Sequence, residues 1–182
     1  MEIFALRKLS RKQLIKRGVI AWFVLLFVVF SVDYLFSQLV WTRGESVKYV
    51  FFWKEKRSNV KMNDFVLVEG KKGSFSEGKK LTKKVMCMYP YRLKKEGLNF
   101  FCCDEKKCWY LHTAVKTNIR GVVLNVFDTC VEDKRNQYES SCVIEIPKDK
   151  YYLGTEVPDG YDSRYLGFFD RSEIISVLEP IF

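Results

Sequence analysis

Ser46 and Lys83 are residue types that together can open a carbonyl. A serine hydroxyl becomes a useful nucleophile when a base takes its proton as it attacks, and a lysine amine is such a base only when neutral. In Leu81-Thr82-Lys83-Lys84-Val85-Met86-Cys87, the two-residue period of a strand puts Leu81, Lys83, Val85 and Cys87 on one face and Thr82, Lys84 and Met86 on the other. Lys83 thus shares an apolar face, where burial drives an ammonium toward its neutral form. Spacing alone does not choose between this base and a Lys-rich edge strand, which is the plainer reading of the pattern. The chain has one histidine, His112, expected to be an ordinary strand residue; without it as the base, no Ser-His-Asp mechanism can run.

Ser46 follows a long apolar segment. Residues 18–41 are apolar apart from Asp33 and a few small polar side chains, long enough to span the roughly 20 helical residues of a bilayer core, with Trp22 and Trp41 toward the two interfaces. Residues 1–17 carry Arg7, Lys8, Arg11, Lys12, Lys16 and Arg17 against Glu2, so the positive-inside rule keeps the N-terminus in the cytoplasm and exports residues 42–182 across the inner membrane. A cleaved signal peptide is the rival, disfavoured by the length of the run and the lack of a small-x-small site after it. Asp33 reads as a carboxylate near the outer interface, or else as a group facing a partner helix.

Residues 42–182 suffice for one domain with a core. The net charge is +9, but much of the excess precedes the anchor and the later lysines are interleaved with acids, so nucleic acid is not an expected partner. All six cysteines, Cys87, Cys102, Cys103, Cys108, Cys130 and Cys142, follow the anchor, as in an oxidising compartment. The expected bonds are Cys130 to Cys142 and one of Cys102 or Cys103 to Cys108, with Cys87 left as a buried thiol. No repeated C-x-x-C and no second histidine support a zinc site, and neither a metal nor another cofactor is expected. Strand-like runs lie at 46–53, 65–68, 81–87, 122–127 and 143–146, loops at 70–80 and 132–141, and a short helix is expected over 171–178 with Ser172 as cap and Pro180 as stop. The architecture is therefore mostly antiparallel β on a single N-terminal transmembrane helix.

Four blocks in order carry a resemblance. Thr42-Arg43-Gly44-Glu45-Ser46-Val47 directly follows the anchor, and Met62-Asn63-Asp64-Phe65-Val66-Leu67-Val68 comes next. Then come Lys83-Lys84-Val85 and, most distinctively, Asp162-Ser163-Arg164-Tyr165-Leu166-Gly167. Together they resemble the serine, Gly-Asp, lysine and Asp-Ser-Arg-Tyr-x-Gly blocks of the signal peptidase I (leader peptidase) family. The resemblance implies a signal-peptidase-like antiparallel β catalytic domain and a Ser-Lys dyad of Ser46 and Lys83. It also implies an Asp162–Arg164 ion pair bracing that dyad, and Gly154 packed beside the lysine. The alternative for Asp162-Ser163-Arg164 is a polar turn with solvated charges.

The departures are specific. Lys48 stands where the family usually has proline, Asn63 where it has glycine, and Thr155 where an aspartate commonly follows the glycine matched by Gly154. Gly44 and Gly160 each lack a hydroxyl that relatives carry, so backbone N–H groups, that of Ser46 above all, would hold the oxyanion, with Thr42 as a substitute donor. This loosening is similar to the conjugative-transfer, TraF-like peptidases that mature pilin precursors. The resemblance implies exported precursors as substrates, signal-peptide-bearing or pilin-like, and secretion or conjugation machinery as partner. Two alternatives are a general signal peptidase I and an inactive, anchored assembly component that keeps the fold.

Overall fold

Residues Arg11–Gln38 form one helix, α1, in which apolar side chains face outward on every side. A helix apolar all round is stable only when something apolar surrounds it, and this one is long and apolar enough to cross a membrane. The structure, a computed structural model, describes residues 11–42, 47–118, 121–127, 141–157 and 160–181. Ser46, Cys130 and residues 132–140 of the expected loop lie outside the described residues.

The helix is one unit and the chain from Val40 onward another. The strands run β1 (Leu39–Trp41), β2 (Phe51–Glu55), β3 (Phe65–Glu69), β4 (Lys80–Met88), β5 (Arg92–Glu96), β6 (Asn99–Cys103), β7 (Cys108–Thr113), β8 (Ser141–Glu145) and β9 (Lys150–Gly154). After β9 come the short helix α2 (Ser163–Leu166), β10 (Phe169–Asp170) and β11 (Ile174–Pro180). They make a sheet of order β1-β2-β11-β3-β4-β9-β10 and a second of order β7-β6-β5-β8. Neighbours from β2 to β10 in the first sheet, and all neighbours in the second, pair antiparallel.

β3 explains the continuous apolar run of Phe65-Val66-Leu67-Val68. It lies between β11 and β4 with both faces covered, so all four side chains are buried. One face joins a cluster with Val85, Leu153, Phe169 and Val177. The other joins Val47, Phe52 and Leu178. A third cluster, of Cys87, Leu93, Phe100, Cys102, Ile146 and Tyr152, ties β4 and β9 to the second sheet. At about 25 cal/mol per Å² of apolar surface, such full burial contributes about 1.5–3 kcal/mol per large side chain.

Four expectations are corrected. Residues 171–178 are not a helix: Arg171–Glu173 make one 3-10 turn and Ile174–Pro180 a strand, because the β-branched run fills the slot between β2 and β3. Residues 46–53 are not one strand, since 47–50 close a loop by the Thr42 N–H to Val50 carbonyl bond before β2 starts. Residues 122–127 form no named strand. Their backbone instead bonds locally and to α2, through Leu124 N–H to Lys116 and Phe127 N–H to Arg164.

Cys87 is not a thiol but is bonded to Cys102. The β5–β6 register puts Cys102 opposite Leu93, in the same buried cluster as Cys87. The strand phase behind that expectation nonetheless stands: Lys83, Val85 and Cys87 are the buried residues of β4. The expected short hairpin bond is Cys103–Cys108, between directly opposed residues of β6 and β7. Cys142 is also disulfide-bonded, and its expected partner Cys130 lies outside the described residues.

Candidate active site

Lys83 is 3% exposed, opposite Val66 in the β3–β4 pairing. Burial is the main cause that brings its ammonium down to about 8; the Asp162 carboxylate resists and the Arg164 guanidinium adds to the fall. Lys84 turns the other way, over the Phe65 ring and 4.0 Å from Glu156 Oε1. Of the two adjacent lysines, β4 therefore buries the one expected from the strand period.

Asp162, Ser163 and Arg164 are fully buried, which excludes a turn of solvated charges. Asp162 caps α2 by accepting from the Arg164 N–H. Its Oδ1 also takes Arg164 Nε at 2.9 Å, while Oδ2 takes Arg164 Nη2 at 2.8 Å and both the N–H and hydroxyl of Thr155 at 3.0 Å. Arg164 reaches on to the carbonyls of Thr113, Gly160 and Val157, so one guanidinium joins β7, the end of β9 and the turn before α2. Burial would raise the Asp162 carboxyl, but its bonds to Arg164 and the neighbouring positive charges hold it below the ordinary value. A buried ion pair with every oxygen occupied is a rigid brace more than a source of stability.

Gly154, which the resemblance would put beside Lys83, pairs with Lys84 across the β4–β9 ladder. A Cβ there would fall 2.2 Å from Met86 Sδ and 2.9 Å from His112 Cε1. His112 is a strand residue on β7, as expected, and buried; its Nε2 shares a hydrogen bond of 2.9 Å with the Tyr152 hydroxyl. Burial brings the imidazole down to about 4, against the pull of Asp162, so at neutral pH it is neutral but only a weak base. Asn63 has φ +68, the left-handed conformation that explains why glycine or asparagine serves there, and it leads into Asp64.

The serine side is described by its flanks. The Thr42 N–H and hydroxyl both donate across the loop neck, the hydroxyl to Tyr49 O at 2.8 Å and Val50 O at 3.1 Å. Its one proton is thus engaged within the loop, and Thr42 acts here as a brace. Val47, on the other side of Ser46, is buried with Phe65 and Leu67 of β3, the strand paired to Lys83.

Sequence reasoning did not find Arg57, whose two terminal nitrogens grip the Asp64 carboxylate at 2.8 Å each. Nor did it find Glu156, which accepts from the Lys48 N–H. Arg57 and Asp64 lie seven residues apart on either side of a turn, with no periodic signal to link them, and Glu156 meets Lys48 only through the tertiary fold.

A family model described as signal peptidase, peptidase S26, matches residues 11–182. Among solved structures, a signal peptidase I from Enterococcus faecalis V583 is similar, at 17% identity over 66% of this chain and 97% of that one, with a TM-score of 0.37. No curated protein matches the sequence.

Proposed function

The chain belongs to the signal peptidase, peptidase S26, family, and from that premise we propose that it is a membrane-anchored serine endopeptidase in which Ser46 is the nucleophile and Lys83 the base. The observation that carries this reading is Lys83, the one buried lysine among the described residues, beside a fully bonded Asp162–Arg164 pair, in surroundings that favour its neutral form.

Ser46 Oγ attacks the scissile carbonyl carbon as Lys83 Nζ takes the hydroxyl proton. The oxyanion is held by backbone N–H groups, that of Ser46 among them. Collapse breaks the C–N bond, and the Lys83 ammonium passes its proton to the departing amine, leaving an ester on Ser46. Lys83, neutral again, activates a water that releases the acid and restores the serine. Asp162 and Arg164 brace the lysine strand, Gly154 admits close packing next to it, and Thr42 ties the neck of the serine loop.

The substrates are exported precursors met at the membrane by a domain carried on one anchor, with residues 1–17 cytoplasmic. The narrower reading is a dedicated enzyme that matures pilin-like precursors in a conjugation or secretion system. It is supported by the departures at Gly44, Lys48, Asn63 and Thr155. The test is cleavage of a signal-peptide precursor and a pilin-like precursor by the purified full chain. Wild type should cut at one site while Ser46→Ala and Lys83→Ala, both folded, should not. Preference for the pilin-like precursor supports the narrower reading, and turnover retained by either variant removes the dyad.

A further inference from the structure

We propose that Thr155 is a positioning residue for the base, fixing the Asp162 carboxylate next to Lys83, and that position 160 must be glycine because the Thr155 side chain occupies its side-chain volume. This rests on the Ser46 and Lys83 reading above and adds to it how that base is held.

The β4–β9 register pairs Val85 with Leu153 and Lys84 with Gly154. One more step of an antiparallel ladder brings Thr155 opposite Lys83, just past the end of β9 and on the same side of the sheet. Thr155 is 2% exposed. It supplies two of the three bonds to Asp162 Oδ2, through its N–H and its hydroxyl, both at 3.0 Å, while Arg164 supplies the third and both bonds to Oδ1. The hydroxyl also lies 3.1 Å from the Val157 carbonyl and accepts from Arg164 Nη2 at 3.2 Å. With one proton to give, it favours the charged acceptor, and the carboxylate is thereby held from the β9 side as well as from α2.

Gly160 shows what this arrangement requires. A Cβ there would lie 1.8 Å from Thr155 Oγ1, 2.7 Å from its Cβ and 2.9 Å from its Cγ2. Gly160 is not among the glycines with positive φ, so glycine is needed here for space and not for backbone freedom. The clash is with a short, β-branched side chain whose oxygen is tied on both sides, which cannot swing away without breaking its bonds to Asp162 and Arg164. One volume beside the ion pair therefore holds one hydroxyl, delivered from position 155 and not from 160.

The test is a set of variants in the detergent-purified full chain, read by kcat and KM for precursor cleavage and by thermal unfolding. Thr155→Val keeps the shape and removes the hydroxyl; kcat should fall about tenfold, the scale of one hydrogen bond to a charged group, with KM little changed. Thr155→Ser should recover most of that loss. Gly160→Ser alone should be impaired and thermally weakened. Thr155→Gly with Gly160→Ser, which hands the same volume to a hydroxyl from the other residue, should be more active and more stable than Gly160→Ser. Equal activity in Thr155→Val and Thr155→Ser, or a swapped pair that loses as much as the two single changes combined, overturns the proposal. If wild type cleaves no better than Ser46→Ala, the peptidase reading fails instead. The unfolding cycle between positions 155 and 160 then still decides: coupled losses support the shared volume and additive losses refute it.

Discussion

The Lys48 backbone N–H donates to Glu156 Oε2 at 3.2 Å, and the other oxygen of that carboxylate lies 4.0 Å from Lys84 Nζ. One carboxylate thereby joins the chain just past Ser46 to the neighbour of Lys83. Proline at position 48, which the family resemblance would suggest, has no N–H to give. Glu156→Ala should change the unfolding free energy by less than about 1 kcal/mol, because the contacts are partly solvated, yet slow cleavage severalfold. Denaturant unfolding beside steady-state kinetics checks both parts, and an unchanged kcat would show the link to be incidental.

Lys83 sets the expected pH dependence. In the proposed mechanism only its neutral form accepts the serine proton, so cleavage should rise with pH through a midpoint of about 8 and be nearly absent at pH 5. Lys83→Arg should be inactive across the range, since a guanidinium stays charged.

The same residue predicts a stability effect with a defined sign. Its folded value, about 8, lies below the unfolded 10.5. Between these the unfolded chain holds a proton that the folded chain lacks, so this group's contribution improves as pH rises through that window. Below it, the buried ammonium is a constant cost of about 3 kcal/mol. Lys83→Met should therefore abolish cleavage and stabilise the fold at pH 6.5, with the gain shrinking toward pH 10.5. Urea unfolding at the two pH values measures it.

Arg164→Met should be among the most damaging single changes, costing about 3–5 kcal/mol, because it leaves the Asp162 carboxylate buried without its main partner. Asp162 is held below its ordinary value, so the pair's contribution is present above the unfolded carboxylate value and lost as pH falls through the folded one. The penalty of Arg164→Met should accordingly shrink in acid, and Asp162→Asn combined with Arg164→Met should be more stable than Arg164→Met alone at pH 7. Thermal unfolding at pH 7 and pH 3 distinguishes these.

Peptide mapping without reductant should recover Cys87 linked to Cys102 and Cys103 linked to Cys108. The first bond closes a loop of sequence separation 15, for which chain entropy gives about 3 kcal/mol. Cys87→Ala with Cys102→Ala should therefore lower the melting temperature more than Cys103→Ala with Cys108→Ala, whose bond closes a separation of 5.

The burial of the candidate base was legible where the pattern is local in the chain. The two-residue period of β4 distinguished Lys83 from Lys84, while the Asp162–Arg164 pair was expected only through the family resemblance. Partner choice across the fold was not legible. Cys87 could be given a face from its strand, but its bond to Cys102 depends on how β5 and β6 fold back over β4. Residues 171–178 carried helical spacing that a slot between two strands overrode. The hairpins of β5, β6 and β7, rich in Lys and Cys, lack the clean apolar alternation that marks strands from sequence.

The position of β11 bears on when such a protein starts to work. β2, which follows the serine loop, and β3, which leads to the lysine strand, do not pair with each other; Ile174–Pro180 lies between them. During synthesis, the segments bearing Ser46 and Lys83 are made long before the strand that unites their halves of the sheet. If Ser46 and Lys83 act as proposed, a nascent chain that still lacks Ile174–Pro180 should therefore be latent.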